Sequence, residues 1–115
     1  MEKKLKASFK YDKAGNIVEE VDFSGVATKY EYDLLNRRSK VIRDKREIQL
    51  EYDANSNVTR LVEDKKESTY EYDENGNISQ TTSPSGLKQQ YEYDKADRVI
   101  AIIEERDGKK IKSLI

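Results

Sequence analysis

Residues 70–78 of the chain read Tyr-Glu-Tyr-Asp-Glu-Asn-Gly-Asn-Ile, and this stretch decides the fold. Its two tyrosines alternate with a glutamate, which is the period of two that a half-buried β-strand shows. The Asp that follows can accept a hydrogen bond from the backbone N–H two residues on. The Gly three residues after that Asp supplies the positive φ that closes a hairpin with a bulge. The stretch therefore predicts a strand, a tight turn and the start of a second strand.

The same pattern recurs along the whole chain. The dipeptide Tyr-Asp occurs five times, at spacings of 21, 20, 20 and 21 residues, and the residue two before each Tyr is large and apolar or aromatic. All eight tyrosines fall at these two positions of the repeat. We expect no catalytic residue in the chain. The motif residues are expected to have a structural role in the repeat, and they are Tyr11, Asp12, Gly15, Tyr30, Tyr32, Asp33, Tyr52, Asp53, Tyr70, Tyr72, Asp73, Gly76, Tyr91, Tyr93 and Asp94.

A second turn follows each Tyr-Asp turn, and the apolar positions between the two turns do not alternate cleanly. Some stand five residues after the Asp, as Ile17 does, and others stand eight after it, as Val41 does. A spacing of three puts two side chains on opposite faces of a regular strand, so we expect a β-bulge or a sharp twist there. Ser56 and Asp97 replace the favoured Gly in the third and fifth Tyr-Asp turns, which predicts that these turns are weaker.

The period predicts one domain over residues 1–115. The five repeats are approximately 9–29, 30–49, 50–69, 70–90 and 91–110, and residues 109–115 are predicted to form a closing strand. Alternation before the first Tyr-Asp pair predicts that the first strand begins near Leu5. The fold class that follows is all-β, with tandem hairpin repeats of 20–21 residues in a twisted, curled antiparallel sheet of about ten or eleven strands.

The composition fits a thin sheet and argues against several other classes of protein. Hydrophobic residues are 35% and charged residues 39%, yet Leu, Ile, Val and Phe make up 25 of 115 residues, above the roughly 20% typical of disordered chains. The net charge of -1 argues against a nucleic-acid partner. The absence of His and Cys removes the usual general base and thiolate chemistry. Neither an apolar run long enough for membrane insertion nor a signal peptide is present in these residues.

The pattern aromatic-x-Tyr-Asp-x-x-Gly-Asn/Arg-apolar, at a period of 20 to 21, resembles the YD repeat, also called the RHS repeat. The resemblance covers about residues 5–115. In large members of that family the repeats wind as a spiral β-ribbon into a hollow shell. Such shells enclose a C-terminal toxin in bacterial polymorphic toxins and insecticidal toxin complexes, and a related shell occurs in teneurins. The resemblance implies a non-enzymatic scaffold, in a protein that is secreted or at the cell surface.

A shell around a cargo needs more sheet than one copy of this chain supplies. With strands about 4.8 Å apart and about 20 Å long, five repeats give roughly 1,000 Å² per face. A cargo of about 100 residues presents an envelope of roughly 3,600 Å². We therefore expect self-association through sheet edges or faces, or contact with neighbouring repeats of a longer protein. The charges of Lys3, Lys4, Lys109, Lys110 and Lys112 would discourage or limit pairing at the edges.

A sheet with a Tyr, Ile and Val face has to cover that face. It can curl onto itself as an open or closed barrel, pair with a second copy, or cover another molecule. We favour a curled single sheet. The near-uniform period also fits a designed or excised repeat fragment.

Four other interpretations concern particular residues. The tyrosines could stack on sugar rings, with Tyr70 and Tyr91 as ligand-stacking candidates, so the alternative function is a carbohydrate- or cell-surface-binding module. Residues 73–77 resemble the opening of a calcium loop, but Pro84 stands where the bidentate Glu belongs, so we predict a turn and no metal or cofactor.

The other two interpretations concern the carboxylates and the asparagines. Carboxylates such as Glu31 and Glu71 fit cross-strand ion pairing better than acid–base catalysis. Asn57-Val-Thr and Asn77-Ile-Ser are glycosylation sequons, which matter only if the chain is secreted from a eukaryotic cell.

Overall fold

The computed structural model describes residues 6–115. This part of the chain contains eleven β-strands and no helix. The prediction of an all-β fold of antiparallel hairpin repeats is confirmed. The strands are β1 (Ser8–Tyr11), β2 (Ile17–Val21), β3 (Ala27–Tyr32), β4 (Arg38–Arg43), β5 (Arg46–Tyr52), β6 (Val58–Glu63), β7 (Lys66–Tyr72), β8 (Ile78–Thr82), β9 (Lys88–Tyr93), β10 (Val99–Arg106) and β11 (Lys109–Leu114).

Two compact units make up the described residues. The first unit runs to Leu50 and includes Val62–Asp64, and the second consists of Glu51–Leu61 and Lys65–Ile115. In the first unit, β1 to β4 and the beginning of β5 pair in order, each antiparallel to the next. In the second unit, β7 to β11 do the same. The single repeat domain over residues 1–115 stays a prediction.

In this part of the chain no helix is long and apolar enough to cross a membrane.

The Tyr-Asp turns have the hydrogen bonds that the sequence predicts. In the first turn, Oδ1 of Asp12 accepts the backbone N–H of Ala14 at 2.9 Å, and Gly15 donates its N–H to the Asp12 carbonyl at 3.1 Å. The φ of Gly15 is +87°, in the left-handed region that an L side chain disfavours. At the same place in the other turns, positive φ is found for Asn36, Ser56, Gly76 and Asp97.

A β-bulge follows the Tyr-Asp turn in four repeats. In the second repeat Tyr32 pairs with Arg38 and Glu31 pairs with Lys40, so Ser39 is the extra residue. Because of this bulge, the positions five and eight residues after the Asp lie on one face, each opposite an aromatic position. The predicted bulge is confirmed, and the extra residues are Val18, Ser39, Ser79 and Ile100.

Two kinds of second turn return the chain. Asp22 and Ser83 begin turns with the same backbone hydrogen bonds as the Tyr-Asp turns. Asp64-Lys65 and Asp107-Gly108 are two-residue turns with positive φ at both residues, the arrangement of a type I′ hairpin.

The first strand is shorter than predicted. It begins at Ser8, because its partner β2 ends at Val21, where the Asp22 turn starts. Leu5, where we expected the strand to begin, lies outside the described residues, as do the predicted edge charges Lys3 and Lys4.

The predicted curling of the sheet onto itself does not occur within either unit. Among the described residues only Ala101 and Thr28 are buried, with 1% and 5% of their surfaces exposed, and no side chain is fully enclosed. A strand of each unit contacts the strands beside it in the sheet, and no opposing layer of that unit covers its face. The physical reason is that the long tyrosine side chains cover neighbouring residues on their own face of the sheet. The few apolar residues are therefore partly shielded from water without a barrel interior.

Candidate functional site

Three tyrosines of the Tyr-Asp motif bond to the repeat that precedes them. The hydroxyl of Tyr32 donates to the Ile17 carbonyl at 2.6 Å, and that of Tyr72 donates to the Val58 carbonyl at 2.6 Å. Tyr93 donates to the Ile78 carbonyl at 2.5 Å. In each case the acceptor is the fifth residue after the Asp of the preceding repeat. We call these contacts the inter-repeat tyrosine bonds.

The extent of the strand pairing explains why these carbonyls are available. The pairing of β2 with β3 begins only at Glu19 and that of β8 with β9 only at Gln80, so Ile17 and Ile78 have no ladder partner in the strand that follows. A half-buried carbonyl outside the ladder needs another donor, and the hydroxyl at the end of a tyrosine ring supplies one. The inter-repeat tyrosine bonds thus join a carbonyl beyond the end of one ladder to the motif of the next repeat.

Burial raises the pKa of two of these tyrosine hydroxyls. Desolvation by burial raises the pKa of Tyr72, and it also raises the pKa of Tyr93, with nearby carboxylates as a second cause. Both hydroxyls therefore stay protonated at neutral pH and act as hydrogen-bond donors. This arrangement favours a structural contact over a nucleophile or a general base.

The aromatic positions two residues before the motif tyrosines have more varied surroundings. Tyr30 donates its hydroxyl to Oε1 of Glu20 at 2.6 Å, and this hydrogen bond is the largest cause that raises the pKa of Tyr30. The guanidinium of Arg38 lies 4.1 Å from the centre of the Tyr30 ring, in cation–π geometry. Arg38, the one polar residue at its repeat position, thus covers the ring.

The two candidate ligand-stacking residues lie on the tyrosine face of the second unit. Tyr70 is half-buried opposite Thr81, and Tyr91 is half-buried opposite Ile102. The hydroxyl of Tyr91 donates to Oε1 of Gln89 at 3.2 Å. The structure therefore places both rings at the same repeat position and on the same face.

The motif aspartates are acceptors for the backbone of their own turns. Oδ1 of Asp73 accepts the N–H of Asn75 and of Asn77, both at 2.9 Å. In the corresponding turns the N–H of Asn16 is the largest cause that lowers the pKa of Asp12, and the N–H of Arg98 does the same for the pKa of Asp94. Hydrogen bonds to the charged form stabilise it, so the carboxylates of Asp12 and Asp94 are ionised and accept hydrogen bonds from their own turns.

Side chains of the turns also join neighbouring repeats. Asn16 donates its Nδ2 to Oδ1 of Asn36 at 3.0 Å, and Asn77 donates its Nδ2 to Oδ1 of Asp97 at 2.9 Å. Asn77 and Asn57 are the two sequon asparagines, and Asn57 donates its Nδ2 to Asp53 at 3.4 Å. Both sequon amides therefore take part in turn contacts.

The face opposite the tyrosines carries the cross-strand ion pairs that the sequence predicts. Lys40 lies 3.7 Å from Glu31, and Lys112 lies 3.1 Å from Glu92. Within residues 6–115, no group of three or more His, Asp or Glu side chains is placed to hold a metal ion, and the predicted calcium-like segment at residues 73–77 is a hydrogen-bonded turn.

Two family models match the repeat region of the chain. A family model described as Teneurin YD-shell matches residues 35–106, more than half of the chain, and a model described as RHS Repeat matches residues 11–48. The chain belongs to the Teneurin YD-shell family. The predicted relationship to YD and RHS repeats is thereby confirmed. A search of curated proteins found no match for this YD-shell chain.

Two solved structures share the YD-shell chain's fold. A chain of a mutant Photorhabdus luminescens Tc holotoxin pore is 18% identical with a TM-score of 0.76, over 93% of this chain. A chain in a crystal structure of TcdB2, TccC3 and Cdc42 is 18% identical with a TM-score of 0.78, over 94% of this chain. This chain spans 7% of the length of each of those chains. At this identity the likeness establishes the fold alone.

Proposed function

We propose that this chain is a non-enzymatic structural scaffold, a segment of a YD shell that encloses toxin cargo or forms a surface-exposed assembly. The observation that carries the proposal is the set of inter-repeat tyrosine bonds. They use the motif residue that recurs most regularly to hold one repeat against the one before it. Family membership and the likeness in fold to chains of toxin complexes support the same conclusion.

The chemistry of the motif residues supports a structural role. The motif tyrosines donate to backbone carbonyls, and the motif aspartates accept backbone N–H groups. Groups that hydrogen-bond to the backbone in this way stabilise the conformation of the repeat. We assign no catalytic role to any of the motif residues.

The partners in this proposal are other β-strands of the same kind. They would be neighbouring repeats of a longer protein or further copies that associate through faces or edges. A shell of this kind functions outside the cell or at its surface, which is where we propose that the chain acts.

The second candidate function is a carbohydrate- or cell-surface-binding module. It is favoured by one observation, the placement of Tyr70 and Tyr91 at the same repeat position on one face of the second unit. Their hydroxyls are not part of the inter-repeat tyrosine bonds, so their rings could stack on sugars without loss of that contact.

A matched set of alanine variants separates the two functions. Tyr72→Ala and Tyr93→Ala remove inter-repeat tyrosine bonds, whereas Tyr70→Ala and Tyr91→Ala remove the candidate stacking rings. Each variant is measured by thermal unfolding and on a glycan array. The scaffold proposal expects large losses of stability for the first pair and no selective glycan binding by the unmodified chain. Selective binding that Tyr70→Ala abolishes without a change in unfolding would establish the binding module instead.

A further inference from the structure

The Tyr-Asp turn of the fourth repeat contains an asparagine that is followed by glycine. Of the six asparagines in the sequence, Asn75 alone has this neighbour, Gly76. Both residues are exposed to solvent, and nothing lies within 4 Å of the place where a Cβ of residue 76 would stand. Because glycine has no Cβ, its backbone nitrogen is open to approach by the side chain of the residue before it. The exposed Asn-Gly pair is therefore a candidate for chemical modification of the asparagine.

The reaction open to such a pair is deamidation, and its only co-reactant is water. The backbone nitrogen of Gly76 loses its proton to water and attacks Cγ of Asn75. A bond from that nitrogen to Cγ forms, the bond from Cγ to Nδ2 breaks, and Nδ2 takes up a proton from water and leaves as ammonia. Water then adds to the resulting cyclic imide and opens it at one of its two carbonyls. The product at position 75 is aspartate or isoaspartate, with a carboxyl group in place of the amide.

The folded turn opposes this reaction. Gly76 donates the N–H that would have to be lost to the carbonyl of Asp73, at 3.1 Å. Asn75 donates its own backbone N–H to Oδ1 of Asp73 at 2.9 Å. Because both hydrogen bonds hold the reacting residues in the turn conformation, we expect the attack to require local opening of the turn.

The side chain of Asn75 also contacts the fifth repeat. Its Nδ2 donates to Oδ1 of Asp97 at 3.4 Å, a long hydrogen bond, and Nδ2 of Asn77 donates to the same oxygen at 2.9 Å. Deamidation of Asn75 would replace one of these two donors by a second carboxylate. Like charges at this separation repel each other, and the repulsion is modest because both side chains are exposed. The modification would thus weaken a contact between two repeats.

We propose that Asn75 is a deamidation site, that opening of its turn controls the rate, and that the product weakens the contact between the fourth and fifth repeats. Asn55 provides an internal comparison, because it occupies the same position in the turn of the third repeat and is followed by Ser56. Its backbone N–H donates to Oδ1 of Asp53 at 2.9 Å, as that of Asn75 does to Asp73. The two turns thus hold their asparagines alike and differ in the residue that supplies the attacking nitrogen.

The first experiment follows the reaction itself. The full chain and a capped peptide of residues 70–80 are incubated in mildly alkaline buffer, and deamidation at each asparagine is measured by mass spectrometry after digestion. We expect Asn75 to react before every other asparagine of the chain, and to react at least about tenfold faster in the peptide, where the turn is not held. No reaction at Asn75 in the chain, faster reaction at Asn55, or equal rates in chain and peptide would overturn the proposal.

Variants of the turn test its control of the rate. Asp73→Ala removes the oxygen that accepts the N–H of Asn75 and should increase the deamidation rate severalfold. Asp53→Ala removes the same acceptor from the third repeat and should leave the rate at Asn75 unchanged. Asp73→Ser keeps a weaker acceptor, as Ser83 does in its own turn, and should give an intermediate rate that can be measured even if Asp73→Ala does not fold. Circular dichroism verifies the fold of each variant. A rate that neither Asp73 variant increases would refute control by the turn.

The effect of the product is tested with Asn75→Asp, which introduces the carboxylate directly. It should lower the thermal midpoint by about 2 °C, whereas Asn55→Asp at the equivalent position should not lower it. Addition of Asp97→Asn to Asn75→Asp removes the repulsion and should recover the loss. An unchanged midpoint for Asn75→Asp, or a loss that Asp97→Asn does not recover, would contradict the proposed weakening of the contact.

Discussion

The first and fourth repeats carry the same motif in different surroundings. In β1, Phe9 and Tyr11 are exposed over 50% and 60% of their surfaces, whereas Tyr70 and Tyr72 in β7 are half-buried. Tyr72 also donates to the Val58 carbonyl of the repeat before it, at 2.6 Å. β1 is the first strand of the described order, so Tyr11 has no such neighbour there. The comparison indicates that the motif stabilises the junction between repeats more than the repeat that contains it.

Deletion of Ser79 should have the largest effect on the stability of the fourth repeat. Ser79 is the bulge residue of the fourth repeat, and its loss moves all later residues of β8 to the opposite face. We expect loss of cooperative unfolding in urea, followed by circular dichroism. Ser79→Ala keeps the residue count and should unfold cooperatively, so equal behaviour of the two variants would contradict the role of the bulge.

Replacement of the motif tyrosine by alanine should have the next largest effect. Tyr72→Ala removes a half-buried ring and its hydrogen bond, and we expect a loss of about 2–3 kcal/mol in the free energy of unfolding. Tyr11→Ala removes a mostly exposed ring and should cost less than about 1 kcal/mol. Urea unfolding measures both. Equal losses would show that the motif acts within its own repeat.

Removal of the hydroxyl alone isolates the hydrogen bond. Tyr72→Phe keeps the ring but leaves the Val58 carbonyl without its donor, and should cost about 1 kcal/mol. Tyr11→Phe should change the free energy of unfolding by less than about 0.5 kcal/mol. The same urea experiment decides, and no measurable loss for Tyr72→Phe would mean that packing of the ring is sufficient.

Substitutions in two equivalent turns should change the free energy of unfolding by smaller amounts and in opposite directions. Ser56 has a φ of +65° where Gly76 has +82° at the same place in the next repeat. Ser56→Gly should raise the free energy of unfolding by about 0.5–1 kcal/mol, because glycine adopts this conformation without strain. Gly76→Ala should lower it by about 1 kcal/mol or more, and nothing within 4 Å of the added Cβ would clash. A stabilising Gly76→Ala would refute this explanation of the turn.

The smallest predicted effect is the loss of stability in acid that comes from a single turn aspartate. The backbone N–H of the fourth residue after the Asp lowers the pKa of Asp12 and of Asp94 in the folded chain. A lowered pKa stabilises the fold above the carboxyl's ordinary pKa, and the contribution is lost as pH falls through the folded value.

We therefore expect stability to be constant near neutral pH and to fall below about pH 4. Asp94→Asn should flatten the acid limb of a plot of thermal midpoint against pH. A limb as steep as that of the unmodified chain would exclude Asp94 as a contributor.

The turns and the bulge could be predicted from the sequence because their causes are local. Asp12 and Gly15 stand at the positions that a hairpin turn requires, and the uneven spacing of Ile17 and Val41 indicates an extra residue in the strand. Both features depend on residues a few positions apart, so a single repeat contains the necessary information.

The contacts between repeats could not be predicted in the same way. The acceptor of the Tyr72 hydroxyl is a backbone carbonyl in the preceding repeat, and any residue type could supply it. Arg38 broke the apolar pattern at its position without an evident reason in the sequence, and only the structure shows it over the Tyr30 ring. The curl was expected from the need to cover an apolar face, whereas the tyrosine rings cover their neighbours on that face.

Native-state hydrogen exchange of the unmodified chain and Tyr72→Phe tests the central claim most directly. The claim is that this tyrosine holds two repeats together. The expected result is faster exchange in both repeats that the bond joins, at residues 58–61 and at residues 66–72, with unchanged exchange in β3. Faster exchange confined to residues 66–72, or no change at all, would contradict the claim.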